Sequence, residues 1–227
     1  MFFPQGISEF YAIKNERLLL SGRLAYHCGV PVRRAKKPSA DRILEAAEEV
    51  FAEHGYGEVS LRQLIGAAGV STTAFYARFE SKEAVMAALT ARLFGELYAD
   101  APGALDKARD LEAGIEHGVD LLCDRFAPRK ALVRMILSEA GSAPAAVEAR
   151  RRAYGILASF LAARLATYAE RKRVAIANPD ALAWALVGAL EICIVRWAVW
   201  EEIDEVTLRA LLRAAARAIL PRTEEPR

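Results

Sequence analysis

The sequence predicts an all-α protein, with a three-helix helix-turn-helix unit near its N-terminus followed by a larger helical domain. Three observations lead there. Residues 60–82, SLRQLIGAAGVSTTAFYARFESK, hold three serines placed to cap helices, at Ser60, Ser71 and Ser81. Beyond residue 83 the chain is rich in Ala, Leu and Arg, with apolar residues three and four apart. The interruptions of that pattern fall at Pro and Gly, which end helices.

Residues 1–29 lack a sustained period and are interrupted by Gly6, Gly22 and Gly29. They read as either a disordered extension or upstream sequence translated from a misassigned start. Residues 30–37, VPVRRAKK, form a basic arm with Arg33, Arg34, Lys36 and Lys37. The first helix starts at Ser39, an N-cap after Pro38, and runs to about His54. Ile43, Ala46, Ala47, Val50 and Phe51 form its apolar stripe, while Glu45, Glu48, Glu49 and Glu53 face water. Gly55 and Gly57 end it.

Ser60 and Gln63 make a capping box for the second helix, whose inner side carries Leu61, Leu64 and Ala68. Gly69 can take positive φ and permits a turn of a few residues. Ser71 caps a third helix over 72–77 that buries Phe75, with Phe79 four residues on. Two helices this short share one core and cross steeply, the geometry of a helix-turn-helix over residues 60–79.

Ser81 opens a fourth helix to about residue 99, stopped by Pro102-Gly103. A fifth covers roughly 104–126, with Leu111, Ile115, Val119 and Leu122 inward. Pro128 opens a short sixth helix, a seventh spans about 144–173, and an eighth runs from Asn178-Pro179-Asp180 to about Glu202. Asp204 starts a ninth that Pro221 stops. The run Ala181–Trp200 is long enough to cross a bilayer. Glu191 and Arg196 interrupt it, each costing about 2.5–3.5 kcal/mol at a bilayer centre. Burial between protein layers is the better account, so no membrane partner is expected.

With 227 residues, 54% of them hydrophobic, the chain can bury a large core. Its net charge of +2 announces no polyanion; only the local clustering does. Cys28, Cys123 and Cys193 are dispersed, as in a reducing cytosol, and His27, His54 and His117 are isolated, so neither a disulfide frame nor a metal site is expected. No nucleophile elbow, phosphate loop or paired-acid motif suggests an enzyme, and no cofactor is expected.

The segment AAGVSTTAFYARFESKEAV resembles the signature of TetR-type (TetR/AcrR) transcriptional regulators. Ala68, Gly69, Val70, Ser71, Phe75, Tyr76, Phe79, Ser81, Lys82, Glu83 and Val85 carry the likeness, which extends upstream through Ile43, Ala46, Ala47, Phe51, Gly55 and Tyr56. The resemblance implies a DNA-binding domain over 37–97 and a ligand-binding and dimerisation domain over 98–221. It implies that Thr72 and Thr73 meet base edges from the start of the recognition helix, that Ala77 touches a thymine methyl or sugar, and that Arg62 reaches a base or phosphate. Tyr76, Arg78 and Lys82 would hold phosphates. Two residues depart from the pattern: Arg78 stands where Tyr or His is usual, and Ile65 where a small Ala is preferred.

The partners implied are a double-stranded, palindromic DNA operator, a second copy of the chain paired through residues 179–220, and a small-molecule effector. The protein would be a cytoplasmic repressor released by an apolar ligand. Met135, Phe160, Trp184, Trp197 and Trp200 are candidate pocket residues, each also readable as core or dimer interface. His117 and Glu191 are candidate polar anchors.

Overall fold

In the computed structural model the described residues are 39–105, 108, 110–138 and 143–220. Residues 1–29 and the basic arm lie outside them. The described residues fold into α1 (Ser39–His54), α2 (Leu61–Ala67), α3 (Thr72–Tyr76), α4 (Lys82–Leu105) and α5 (Leu111–Phe126). A single 3-10 turn, Ala127–Arg129, leads into α6 (Lys130–Leu137), followed by α7 (Pro144–Lys172), α8 (Pro179–Ala198) and α9 (Glu205–Ile219). The all-α fold is as the sequence predicts.

α1 buries Ile43, Ala46, Ala47 and Phe51 against α2, α3 and the start of α4, so it is the scaffold behind the turn. One apolar core continues from there along α4 through Val85, Met86, Leu89, Leu93 and Leu97 into the helical domain. α4 packs on α1 at one end and on α5 and α7 along the rest. The expected boundary at residue 97 therefore falls inside a helix shared by both halves.

Several helix ends differ from the sequence reading. α4 passes through Pro102, ending at Leu105 rather than near residue 99. The missing proline N–H costs one backbone bond near the helix end, and burial of Leu97 and Ala101 keeps the chain in register. α5 starts at Leu111, later than expected, because Asp110 accepts the Ala113 amide at 2.8 Å as N-cap. Pro128 sits in the 3-10 turn and α6 begins two residues after it. α8 ends at Ala198, four residues early: Trp200 N–H reaches back to the Val195 carbonyl and Glu201 takes φ 56.

α8 is long and apolar enough by composition to cross a membrane, with a third of that window buried. In the fold it packs against α6, α7 and α9. The two charges inside its apolar run are matched: Glu191 accepts the Tyr154 hydroxyl at 2.9 Å and Arg196 pairs with Glu202 at 2.9 Å. The apolar stripe of α9 expected at a dimer interface faces inward instead. Leu208 and Leu212 are buried in their own protomer, where they pack on α5 and α8.

Candidate nucleic-acid interface

The helix-turn-helix is built by three caps and one left-handed glycine. Ser60 Oγ accepts the Gln63 amide at 3.3 Å, and the Gln63 side chain returns to the Ser60 amide at 2.8 Å. α2 ends in a Schellman turn: Val70 N–H reaches the Ile65 carbonyl and Gly69 N–H the Gly66 carbonyl. Gly69 holds φ +58, which a residue with a Cβ adopts only at a cost. Ser71 then caps α3 through the Ala74 amide at 3.1 Å, and Ser81 caps α4 through the Ala84 amide at 3.1 Å. Leu64 and Phe75, both fully buried, lock the two short helices onto one core.

With Phe75 anchored inward, the rest of α3 is presented outward. Thr72, Thr73, Tyr76, Ala77 and Arg78 are all exposed, Tyr76 at 54%. Arg62 is exposed in the first turn of α2. Ile65, the unusual residue at the helix crossing, is half-buried and packs at the core edge. A five-residue helix with two threonines leading and a tyrosine and arginine flanking has the shape and donors to enter a major groove.

Tethers hold that face to the scaffold. Arg42 donates from Nη1 to the Gly69 carbonyl at 3.2 Å, a contact that sequence patterning gave no reason to expect. Arg78 Nε donates to Ser39 Oγ at 3.3 Å, so the Ser39 hydroxyl, at the first residue of α1, anchors the recognition segment. Lys82 revises the expectation of a phosphate contact. Its ammonium donates to the carbonyls of Tyr56 at 2.8 Å and Val59 at 3.0 Å and lies 4.4 Å from the Tyr56 ring centroid. Two of its three N–H donors thus fasten the α1–α2 loop to α4. Burial, with the neighbouring Glu83, pushes the Tyr56 hydroxyl up to about 12, so it stays a donor and reaches Glu83 at 3.3 Å.

The expected effector residues separate. Phe160 lines a cavity of about 290 Å³ between α4, α5, α7 and α8, and Glu191 borders a smaller apolar one beside it. Neither cavity is lined by His117, Met135 or Trp184. His117 is exposed on α5, Met135 is core at 2% exposure, and Trp184 stands 44% exposed on the outer side of α8. Trp197 is buried, with Lys130 Nζ 5.4 Å from its ring centroid, while Trp200 is exposed. Three basic residues of α7 at the larger cavity, Arg164, Arg171 and Lys172, were missed. The signal was there in their spacing, in phase with Leu157 and Leu161.

Residues 43–89 match the family described as bacterial regulatory proteins, tetR family. The HTH-type transcriptional regulator UidR of Escherichia coli K12 is 27% identical over 136 residues, 57% of this chain and 65% of that protein. EthR of Mycolicibacterium smegmatis is 29% identical over 156 residues, covering 66% and 70%. The match therefore spans just under two thirds of UidR. Among solved structures, a TetR-family regulator from Syntrophomonas wolfei superposes with TM-score 0.73 at 18% identity, covering 81% of this chain and 95% of that one. The fatty acid degradation regulator FadR from Bacillus halodurans does so with TM-score 0.67 at 22% identity, covering 82% and 96%. These structural likenesses establish the fold.

Proposed function

This chain belongs to the TetR family of DNA-binding transcriptional regulators, and on that premise we propose a homodimeric repressor of a palindromic operator, released by a small, largely apolar ligand. The observation that carries the reading is the outward face of α3: Thr72, Thr73, Tyr76, Ala77 and Arg78 exposed around an anchored Phe75. Members of this family act by binding DNA and not by catalysis.

Thr72 and Thr73 read bases, and Ala77 meets a thymine methyl or sugar. Arg62, Tyr76 and Arg78 hold phosphates, with Lys82 contributing its remaining N–H. Phosphate contacts fix register while base contacts fix sequence, and a single α3 offers few of the latter. A two-fold pair doubles them and makes the operator palindromic. The pairing surface is the outer face of α8 within 179–220, where Trp184 and Ile192 are exposed two turns apart. A ligand in the α4–α8 cavity then favours a state in which the two α3 helices no longer match the operator.

Selection of bound duplexes from a random library tests the reading. Enrichment of a palindrome bound by two chains is expected. Recovery of unrelated sequences, or of asymmetric sites bound by one chain, would overturn it.

A further inference from the structure

We propose that Arg42 of α1 is a specificity-determining residue of the DNA interface: it positions the recognition helix α3 from behind and itself touches neither base nor phosphate. The inference rests on the reading of α3 as the element that meets base edges, and it names what sets the angle at which α3 enters the groove.

α3 is five residues long, about 7 Å at ~1.5 Å per residue, and its buried side chain is Phe75. One anchor fixes the depth of so short a helix but leaves it free to swing about that point. Two hydrogen bonds to the first turn of α1 oppose the swing. Ahead of α3, Arg42 Nη1 donates to the Gly69 carbonyl at 3.2 Å. Behind it, Arg78 Nε donates to Ser39 Oγ at 3.3 Å. Ser39 and Arg42 lie on neighbouring rungs of one side of α1, so a single rigid turn brackets α3 at both ends.

Arg42 is the brace that acts on the turn itself. It is half-buried, its Nε is enclosed with no hydrogen-bond partner, and among the described residues the Gly69 carbonyl is the acceptor it reaches. A guanidinium docked in this way is committed to the turn, whereas Arg78 is exposed and keeps its Nη groups for a phosphate. Gly69, at φ +58, is where the chain reverses between α2 and α3. Holding its carbonyl fixes the direction in which the chain leaves for Ser71 and Thr72.

The short side chains of the readers make that direction matter. Thr72, Thr73 and Ala77 cannot extend to recover a base edge that has moved away, as an arginine or lysine can. A swing of about 15° about Phe75 moves the Thr72 backbone by roughly 1 Å, because three residues of helix span only about 4.5 Å. A base contact of ~2.9 Å then lies beyond hydrogen-bonding distance. The long side chains of Arg62 and Arg78 follow their phosphates through the same swing. Loss of Arg42 therefore removes discrimination between sequences and spares non-specific affinity.

The test compares the full chain with R42M on two duplexes: the one the parent enriches from a random library, and a scrambled sequence of the same length. Fluorescence anisotropy across a salt series reads both, with thermal unfolding in parallel. R42M keeps an unbranched stem and should unfold within a few degrees of the parent. The ratio of the two affinities should fall about tenfold, as loss of one hydrogen bond to a charged group predicts. The scrambled duplex should be bound within about twofold of the parent, and the salt slope should change by less than about half a unit. R42Q, too short to reach the Gly69 carbonyl, should give the same result and takes the place of R42M if that variant does not fold. An unchanged ratio in the folded variants overturns the inference even if Tm falls, since a merely structural contact would behave so. Equal weakening on both duplexes with the salt slope lowered by about one also overturns it, because Arg42 would then be a phosphate contact. A parent chain that prefers no duplex overturns the reading of α3 on which the inference rests.

Discussion

Arg129 grips Glu48 through two parallel hydrogen bonds, Nε to Oε1 at 2.6 Å and Nη2 to Oε2 at 2.7 Å. Its Nη1 reaches Glu96 at 2.8 Å. Glu48 belongs to α1, the scaffold of the DNA-binding unit, and Arg129 to the 3-10 turn before α6. One guanidinium thus ties the helix-turn-helix to both the shared helix α4 and the turn at the edge of the cavity-bearing domain. Glu48 was expected to face water; in the fold it is about three-quarters covered.

Fork-to-fork pairing with this degree of burial makes Arg129 costly to lose. R129Q should lower stability by about 1–3 kcal/mol, with some of the buried-pair penalty relieved by solvent. For a chain of this length that corresponds to a fall of roughly 2–12 °C in Tm. A double-mutant cycle of R129Q with E48Q should show strong coupling by thermal unfolding. Additive effects would mean that the pair does not hold the two halves together.

On the DNA face, Arg78→Ala and Arg62→Ala should each weaken binding to every duplex and lower the salt slope by about one. Thr72→Ala should instead change which sequences are preferred. Lys82→Ala should weaken binding and also lower Tm, because its ammonium holds the Tyr56 and Val59 carbonyls. Fluorescence anisotropy across a salt series, with thermal unfolding in parallel, separates these cases.

For assembly, Trp184→Glu or Ile192→Glu should give folded monomers by sedimentation velocity, since both side chains are exposed in the single chain. A stable pairing there would bury well over ~2,000 Å² in all. Leu212→Glu should behave differently. Leu212 is 0% exposed within one protomer, so a charge there should unfold the chain rather than merely separate the protomers. A dimer that survives Trp184→Glu and Ile192→Glu together would place the interface elsewhere.

Acid should loosen the α3–α4 junction. Glu83 is held below its ordinary pKa by its own backbone amide first and by the Ser81 hydroxyl next. A lowered carboxylate stabilises the fold above its unfolded value of about 4.3, and that contribution disappears as pH falls through the folded value. E83Q should therefore be less stable than the parent at neutral pH and should lose less on acidification. Parallel stability curves for the two proteins from pH 7 to acid would contradict this.

Local physics made the helix-turn-helix legible in sequence. Ser60, Gln63, Gly69, Ser71 and Ser81 act within a few residues of themselves, and capping and left-handed turns depend on little else. The stripe of Ile43, Ala47 and Phe51 gave the inner face of α1 for the same reason, since a helical period fixes which side chains share a side. What the tertiary structure alone decided were contacts between residues far apart in the chain. The periodicity of α9 shows that one side is apolar but not whether its own protomer or another covers it; packing on α5 and α8 settled that for Leu208 and Leu212. Lys82 read as a phosphate contact and Glu48 as a solvent-facing charge until the residue 55–60 loop met the one and the Arg129 turn met the other, because an ion pair or a carbonyl contact spanning dozens of residues leaves no local period. The cavity is the extreme case: Leu157, Phe160, Leu161 and Arg164 share one face of α7, but only the convergence of α4, α5 and α8 on that face encloses a cavity.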